Sequence, residues 1–477
     1  MVSVKGWQIH KTRYLSSSHR EAAQWLESNE RMAAERLKES QFQQLRSFIE
    51  HCYQASPYYR RKFCLHGLRP GDIKDPRDII KIPVTPKTDL REQTDSFFTR
   101  KIDRRMVTVH TSGTTGSPLT VYFSPEDIGA RFAFLERCRR WAGVRVGQRR
   151  ATFSGQSIVP KRQSSAPFWR FNRPGRQMLF SSYHLSNEHL PEYARALKEC
   201  NPEIIEGYPS SIHIVAEYFL RNHLLGVVKP AAVLVTAETV LPHQREAIEK
   251  AFEAKLFNQY ASSEGAPFIS ECRAGHLHTH LDSGLIEILR SDGTPTQPGE
   301  LGEMVVTSFT TRMTPLLRYA IGDVAVPAND AEKCPCGLPF PFVQAIGGRV
   351  DDILYTRDRG YVGRLDTVFK KLPNSLVEAQ IIQISLERII LRVVPDRKRY
   401  RPAHAALVVS EMRKRLGQVV DIQVEELEQI PRSANGKMRP VINLYSNKLP
   451  RSLRYSDGPT EVVQYPNNAG PREHFEL

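Results

Sequence analysis

Apolar residues recur at helical spacing near the start of the chain, at Phe42, Leu45, Ile49 and Cys52, and this stripe predicts a helix that stops before Pro57. From about Leu185 the pattern alternates in type. Leu190, Tyr193, Ala194 and Leu197 mark one helix and Ile212, Val215, Ala216 and Phe219 another, after which Val233-Leu-Val reads as a buried strand. A further stripe at Ala247, Ile248, Ala251 and Phe252 leads into a short strand before Tyr260. Helices alternating with short apolar strands predict an α/β sheet with connections across its faces. After Gly284 the chain turns β-rich. Leu285-Ile-Glu-Ile-Leu and Met304-Val-Val are separated by the turn formers Ser291-Asp-Gly-Thr-Pro and Gln297-Pro-Gly, which predicts a smaller sheet or barrel on the large domain. Beyond Asp351 come a helical stretch from Leu365 to Leu372, strands from Ala379 to Ser385 and Arg388 to Val394, a helix from His404 to Leu416 and a strand from Val419 to Glu425. That is enough for a small α+β domain.

The chain has 477 residues, more than one hydrophobic core usually serves, so at least two domains are expected. The pattern divides it into a large domain over residues 1–350, a small C-terminal lid domain over 351–449 and a polar, flexible tail over 450–477. Hydrophobic residues make up 40% and charged residues 25%, a globular profile. The formal charge is +15, but the Lys and Arg are scattered, so no nucleic-acid partner is expected and the basic surface is left to attract small anions. With no run of about 20 apolar residues and no signal segment, the expectation is a cytoplasmic protein without a membrane span. The oligomeric state, a homodimer included, stays open. Among the seven cysteines, Cys52, Cys64, Cys138 and Cys200 are widely spaced and read as reduced thiols. Cys272, Cys334 and Cys336, with His276 and His278, form a set whose thiolates and imidazole suit zinc, although the spacing alone equally fits reduced thiols in loops with solvated histidines.

His110-Thr111-Ser-Gly-Thr-Thr-Gly-Ser-Pro118 joins the apolar Met106-Val107 to Leu119-Thr-Val-Tyr-Phe123, so it reads as a glycine-rich turn between two strands. Its glycines allow a tight fold around an anion, and its hydroxyls and N–H groups are donors to phosphate oxygens. No Gly-Lys-Ser/Thr closes it, so it is not a Walker loop. Four later segments join it: Tyr260-Ala-Ser-Ser-Glu264, Leu317-Arg-Tyr-Ala-Ile-Gly-Asp323, Gly348-Arg-Val-Asp-Asp352 and Ile430-Pro-Arg-Ser-Ala-Asn-Gly-Lys-Met438. In this order they resemble the motifs of adenylate-forming enzymes, the superfamily of acyl-CoA synthetases, adenylation domains and luciferases. Tyr58-Tyr59-Arg60, Ile82-Pro-Val-Thr-Pro-Lys87, Thr236-Ala-Glu238 and Cys334-Pro-Cys-Gly337 bring the resemblance closest to phenylacetate-CoA ligases and related capsule-biosynthesis-type proteins.

The resemblance implies an α/β adenylation domain with a mobile lid. ATP, Mg²⁺ and a small carboxylic acid, aryl acids included, would react to an acyl-adenylate, with the acyl group then passing to CoA or to an amine. Thr111, Ser112, Gly113, Thr114, Thr115 and Gly116 would grip phosphate. Ala237, Glu238, Tyr260, Ser263 and Asp323 would bind the nucleotide, Tyr260 stacking on adenine and Asp323 accepting from the ribose. Glu264 would hold Mg²⁺, Arg349 would touch the nucleotide, Asp351 would be the hinge and Lys437 the catalytic cation. Tyr208 would line the acyl pocket. Cys272, His278, Cys334 and Cys336 would be the structural zinc ligands. Arg318 is left between a nucleotide contact and an internal ion pair. Two departures stand out: Ser117 where many relatives have lysine, and Ala261 where glycine is usual. The competing readings are a non-catalytic nucleotide-binding relative and a nucleic-acid-binding protein. Retention of Glu264, Asp323 and Lys437 argues against the first, and the lack of an aromatic-basic groove motif against the second.

Overall fold

A computed structural model describes residues 2–110, 119–160, 162–329, 332–349, 354–356, 360–362, 375–397, 399–432 and 438–445. Its centre is a block of five parallel strands in the spatial order Gln177–Ser181, Arg150–Ser154, Ile204–Gly207, Ala232–Thr236 and Leu256–Tyr260. The first four residues of Ala232–Thr236 are all buried, as a strand covered on both faces requires. The predicted helices are found at Leu190–Cys200, Pro209–Arg221 and Pro242–Phe252. They bring Leu197, Ile212, Val215, Phe219, Ile248 and Phe252 onto Val233, Val235 and Leu256 in one core.

Antiparallel strands extend this block on both sides into a twelve-stranded sheet. The β-rich half, Gly284–Leu289, Gly302–Ser308, Leu316–Pro327 and Phe342–Arg349, joins the parallel block edge to edge through Leu277–Thr279 and Ile269–Glu271. The N-terminal helix Ala34–Ala55 covers this half, with Leu45, Phe48 and Ile49 meeting Tyr59, Val306 and Leu317. A separate small sheet of Leu376–Gln383, Arg388–Pro395, Asp421–Glu426 and Val441–Asn443 carries the helix Pro402–Leu416, around Ile381, Ile389, Leu391, Val408 and Met412. The helical stretch expected at Leu365 to Leu372, the segment around Asp351 and the tail lie outside the described residues.

Three helices stand outside the expectations drawn from the pattern: Val2–Tyr14, Ser17–Asn29 and Pro125–Trp141. The last two pack through a buried ion cluster. Arg137, wholly buried, forks both guanidinium nitrogens onto Asp282 at 2.9 and 2.7 Å and places a third on Glu30 at 3.0 Å. Among the described residues no helix is long and apolar enough to cross a membrane.

Candidate active site

Three adjacent parallel strands end at one rim of the sheet, the place where open α/β sheets hold ligands. Ile204–Gly207 leads into Tyr208 and Pro209, which starts a helix. Gly207 sits at φ +141°, and a Cβ there would stand 1.8 Å from the Phe153 carbonyl oxygen, so no other residue fits. Tyr208 is buried beside it and donates its N–H to that same carbonyl at 2.8 Å. Ala232–Thr236 leads into Ala237, in the left-handed region at φ +72°, and then Glu238. Leu256–Tyr260 delivers Tyr260 at the same end.

Tyr260 donates its hydroxyl to Asp323 at 2.6 Å, so the two residues assigned by sequence to adenine and ribose meet directly. Glu264 is buried, and its Oε1 accepts from Lys87 Nζ at 2.7 Å. The sequence reading gave Lys87 no role, because nothing local reveals a partner 177 positions away. The path is built by the strand it leans on. Thr85 N donates to the Arg318 carbonyl at 2.6 Å and Ala320 N returns to the Thr85 carbonyl at 3.0 Å, annealing Ile82-Pro-Val-Thr-Pro-Lys87 to Leu316–Pro327. Lys62 Nζ fixes the same turn by donating to Val84 O at 3.0 Å and Thr85 Oγ1 at 2.9 Å. Lys87 also reaches the Ile321 carbonyl at 3.2 Å.

Arg318 resolves in favour of an internal pair. It forks onto Glu287 at 3.0 and 2.7 Å and donates to the carbonyls of Ile80 and Ile82, so its charge is consumed beneath the site. Ser263 is exposed on the turn before Glu264. Arg349 stands opposite Asp323 in the strand register. Thr111, Ser112, Gly113, Thr114, Thr115, Gly116, Asp351 and Lys437 lie outside the described residues, but the strands flanking the first six, Val107–His110 and Thr120–Phe123, pair antiparallel with His110 opposite Thr120.

Glu238 has its carboxylate turned to two backbone amides. Oε2 accepts from Ser210 N at 3.1 Å and Oε1 from Met438 N at 2.8 Å. Burial holds this carboxyl above its usual pKa, with the hydrogen bonds from Ser210 and Met438 pulling the other way.

A second cluster gathers Cys272, His278, Cys334 and Cys336, whose ligand atoms all lie within 4.8 Å of one another. Cys272 and Cys334 sulfurs are 3.6 Å apart and Cys336 Sγ is 3.3 Å from His278 Nε2. Two thiolates on one tetrahedral zinc stand about 3.7 Å apart, from bonds of about 2.3 Å, so the spacing fits. His278 Nδ1 contacts the Phe340 carbonyl at 2.7 Å, which aims Nε2 at the sulfurs, the usual support for a metal-bound imidazole. Burial raises the Cys334 and Cys336 thiols. Burial pushes Cys272 the same way, but the hydrogen bond and charge of His278 bring it down to about 6. His276 also lies near, with Nδ1 3.0 Å from Cys334 Sγ, whereas His280 turns away against Trp141 and Arg137.

A family model described as the CapK C-terminal domain matches residues 354–444. Protein CapK of Staphylococcus aureus is 32% identical over 451 residues, covering 93% of this chain and 96% of that protein. Phenylacetate-coenzyme A ligase of Thermus thermophilus is 25% identical over 448 residues, covering 87% and 98%. Among solved structures, 2-hydroxyisobutyryl-CoA ligase in the postadenylation state, in complex with R3-HIB-AMP, has a TM-score of 0.69 at 20% identity over 90% of this chain and 94% of its own. The same ligase in the thioesterification state, with 2-HIB-AMP and CoA, scores 0.54 at 21% identity over the same shares. The chain belongs to the CapK family, within the adenylate-forming superfamily.

Proposed function

We propose that this protein is an ATP-dependent ligase that activates an organic carboxylic acid as its acyl-adenylate and then passes the acyl group to CoA. The observation that carries this reading is the meeting of Tyr260 with Asp323 and of Lys87 with Glu264, in a chain related to phenylacetate-coenzyme A ligases. In the first step a carboxylate oxygen attacks the α-phosphorus of ATP and pyrophosphate leaves. In the second the CoA thiol, giving up its proton, attacks the acyl carbonyl and AMP leaves. Two anions must first be brought together, which takes positive charge and positioning. In this reading Tyr260, Ser263, Ala237 and Asp323 hold the nucleoside, Arg349 adds a second contact, residues 111–116 grip phosphate and Tyr208 closes the acyl side. Glu264, a single carboxylate, would hold Mg²⁺, an ion that keeps most of its shell for phosphate and water and would shield the charge on the phosphates. The small domain, residues 351–449, would turn at Asp351 and bring Lys437 to the reacting groups. ATP and CoA are cytoplasmic substrates, and we assign the enzyme to that compartment.

The test is a mass-spectrometric screen for AMP and acyl-CoA with aryl, alkyl and hydroxy acids. AMP formed only when an acid is present supports the reading, and ATP binding without acid-dependent AMP across the panel contradicts it.

Lys87 fixes the Glu264 carboxylate through its ion pair and so sets where the carboxylate assigned to Mg²⁺ stands. Lys87→Met is expected to lower kcat/KM for ATP in adenylation by about 10- to 100-fold, with Lys87→Arg recovering part of it. An unchanged value in a steady-state assay removes Lys87 from the site.

We also propose that Cys272, His278, Cys334 and Cys336 hold a structural zinc. Elemental analysis should give about one zinc per chain, and stripping it with a strong chelator should lower the thermal midpoint. A metal-free protein with an unchanged midpoint refutes this.

A further inference from the structure

Glu238 belongs to a segment, Thr236-Ala-Glu238, that the adenylating reading treats as nucleotide-binding, yet its carboxylate faces protein on both sides. One oxygen takes the Ser210 N–H, in the first turn of the helix Pro209–Arg221, and thereby belongs to the large domain. The other takes the N–H of Met438, which is the amide of the peptide bond joining Lys437 to Met438. The Met438 side chain is buried with Ile430 and Val394, so this amide is anchored in the core of the small domain. Charge-assisted bonds from a carboxylate to backbone N–H groups are among the stronger ones proteins make. A second contact runs alongside: Arg221, at the far end of the same helix, meets Asp396 of the small domain at 3.2 Å. The arrangement is the one that matches 2-hydroxyisobutyryl-CoA ligase better in its postadenylation than in its thioesterification state.

We propose that Glu238 is a positioning residue, a latch that docks the small domain on the large one through the Met438 amide for adenylation and must release it before the acyl group is transferred. This rests on the function proposed above. Glu238 acts through the small domain and touches no reacting atom. Its single carboxylate ties Met438 of the small domain to the first turn of the helix Pro209–Arg221, beside the strand end that carries Ala237.

The test uses Glu238→Gln in the full chain. Glutamine keeps the volume but has one acceptor oxygen. Ser210, in the same domain, claims it without any docking, and the NH₂ group is left against Met438 N–H. With ATP as the probe, hydrogen exchange at the Met438 amide should be slow in the unaltered protein and about 10-fold faster or more in the variant. With phenylacetate as the probe acid, single-turnover adenylation should fall about 10-fold or more with KM for ATP unchanged, while thioester formation from phenylacetyl-adenylate and CoA is unaffected. Met438→Pro removes the donor from the other side and should reproduce the same pattern, the double variant being no slower than either alone. Unchanged exchange at Met438 overturns the latch. So does a raised KM for ATP at full kcat, which would make Glu238 a nucleotide contact, or an equal loss in both half-reactions. If the unaltered protein ignores phenylacetate, the function proposed above loses that substrate, and the exchange measurement still decides the latch.

Discussion

Replacing Lys437 with alanine is expected to slow adenylation by about 100- to 1,000-fold while leaving ATP binding nearly intact. The transition state crowds the entering carboxylate oxygen and the departing pyrophosphate oxygen onto the α-phosphorus, and in the proposed mechanism a compact ammonium that arrives as the lid closes stabilises that charge. In the proposed mechanism binding of ATP relies instead on Tyr260, Asp323 and the hydroxyl-rich segment, none of which the substitution alters. Rapid-quench measurement of pyrophosphate release, beside equilibrium binding of ATP, separates the two. Thioester formation from a supplied adenylate should be unchanged in the same variant. An undiminished burst of pyrophosphate would remove Lys437 from the chemistry.

Arg137→Met is expected to cost about 3–5 kcal/mol of stability, far more than any surface change, because it strands Asp282 in the interior. Asp282 is wholly buried, and both its oxygens are held by Arg137, with Asn29 sharing one at 2.9 Å. The guanidinium also donates to the Leu26 carbonyl at 2.9 Å and lies over the Phe340 ring, on the strand side that carries His278 and His280. Losing it unties the helices Ser17–Asn29 and Pro125–Trp141 from the sheet. Denaturant titration followed by circular dichroism should show the midpoint drop. Converting Asp282 to leucine as well should recover much of it, because an apolar pair of similar volume avoids the uncompensated charge. A double variant as unstable as the single one would show that packing by the arginine stem, and not the charge, is what counts.

The elements with strong periodicity were legible from the sequence. The stripes at Phe42 to Cys52 and Ile212 to Phe219 and the apolar run at Val233 each correspond to an element found in place, since each buries one continuous face. What stayed hidden depends on contacts across long separations. Pro125–Trp141 did not read as a one-sided helix because part of its buried surface is made by arginines such as Arg137 and Arg139, which the pattern counts as surface. The same holds at the site. Tyr260, Glu264 and Asp323 were chosen by motif, but the pairing of Tyr260 with Asp323 and of Glu264 with Lys87 required the fold. Arg318 was ambiguous for the same reason, since Glu287 lies 31 positions away, two strands over in the same β-rich half of the sheet. Glu238 was read by its place in a motif, and only the docked small domain reveals what its carboxylate holds.

The most direct test of the central claim is exchange of labelled pyrophosphate into ATP across a broad panel of carboxylic acids. Acid formation of an adenylate predicts exchange that needs both an acid and Mg²⁺, with at least one acid well above the acid-free background and Lys437→Ala abolishing the difference. Tight ATP binding with exchange no faster in the presence of any acid would contradict it and leave a nucleotide-binding protein that has lost its chemistry.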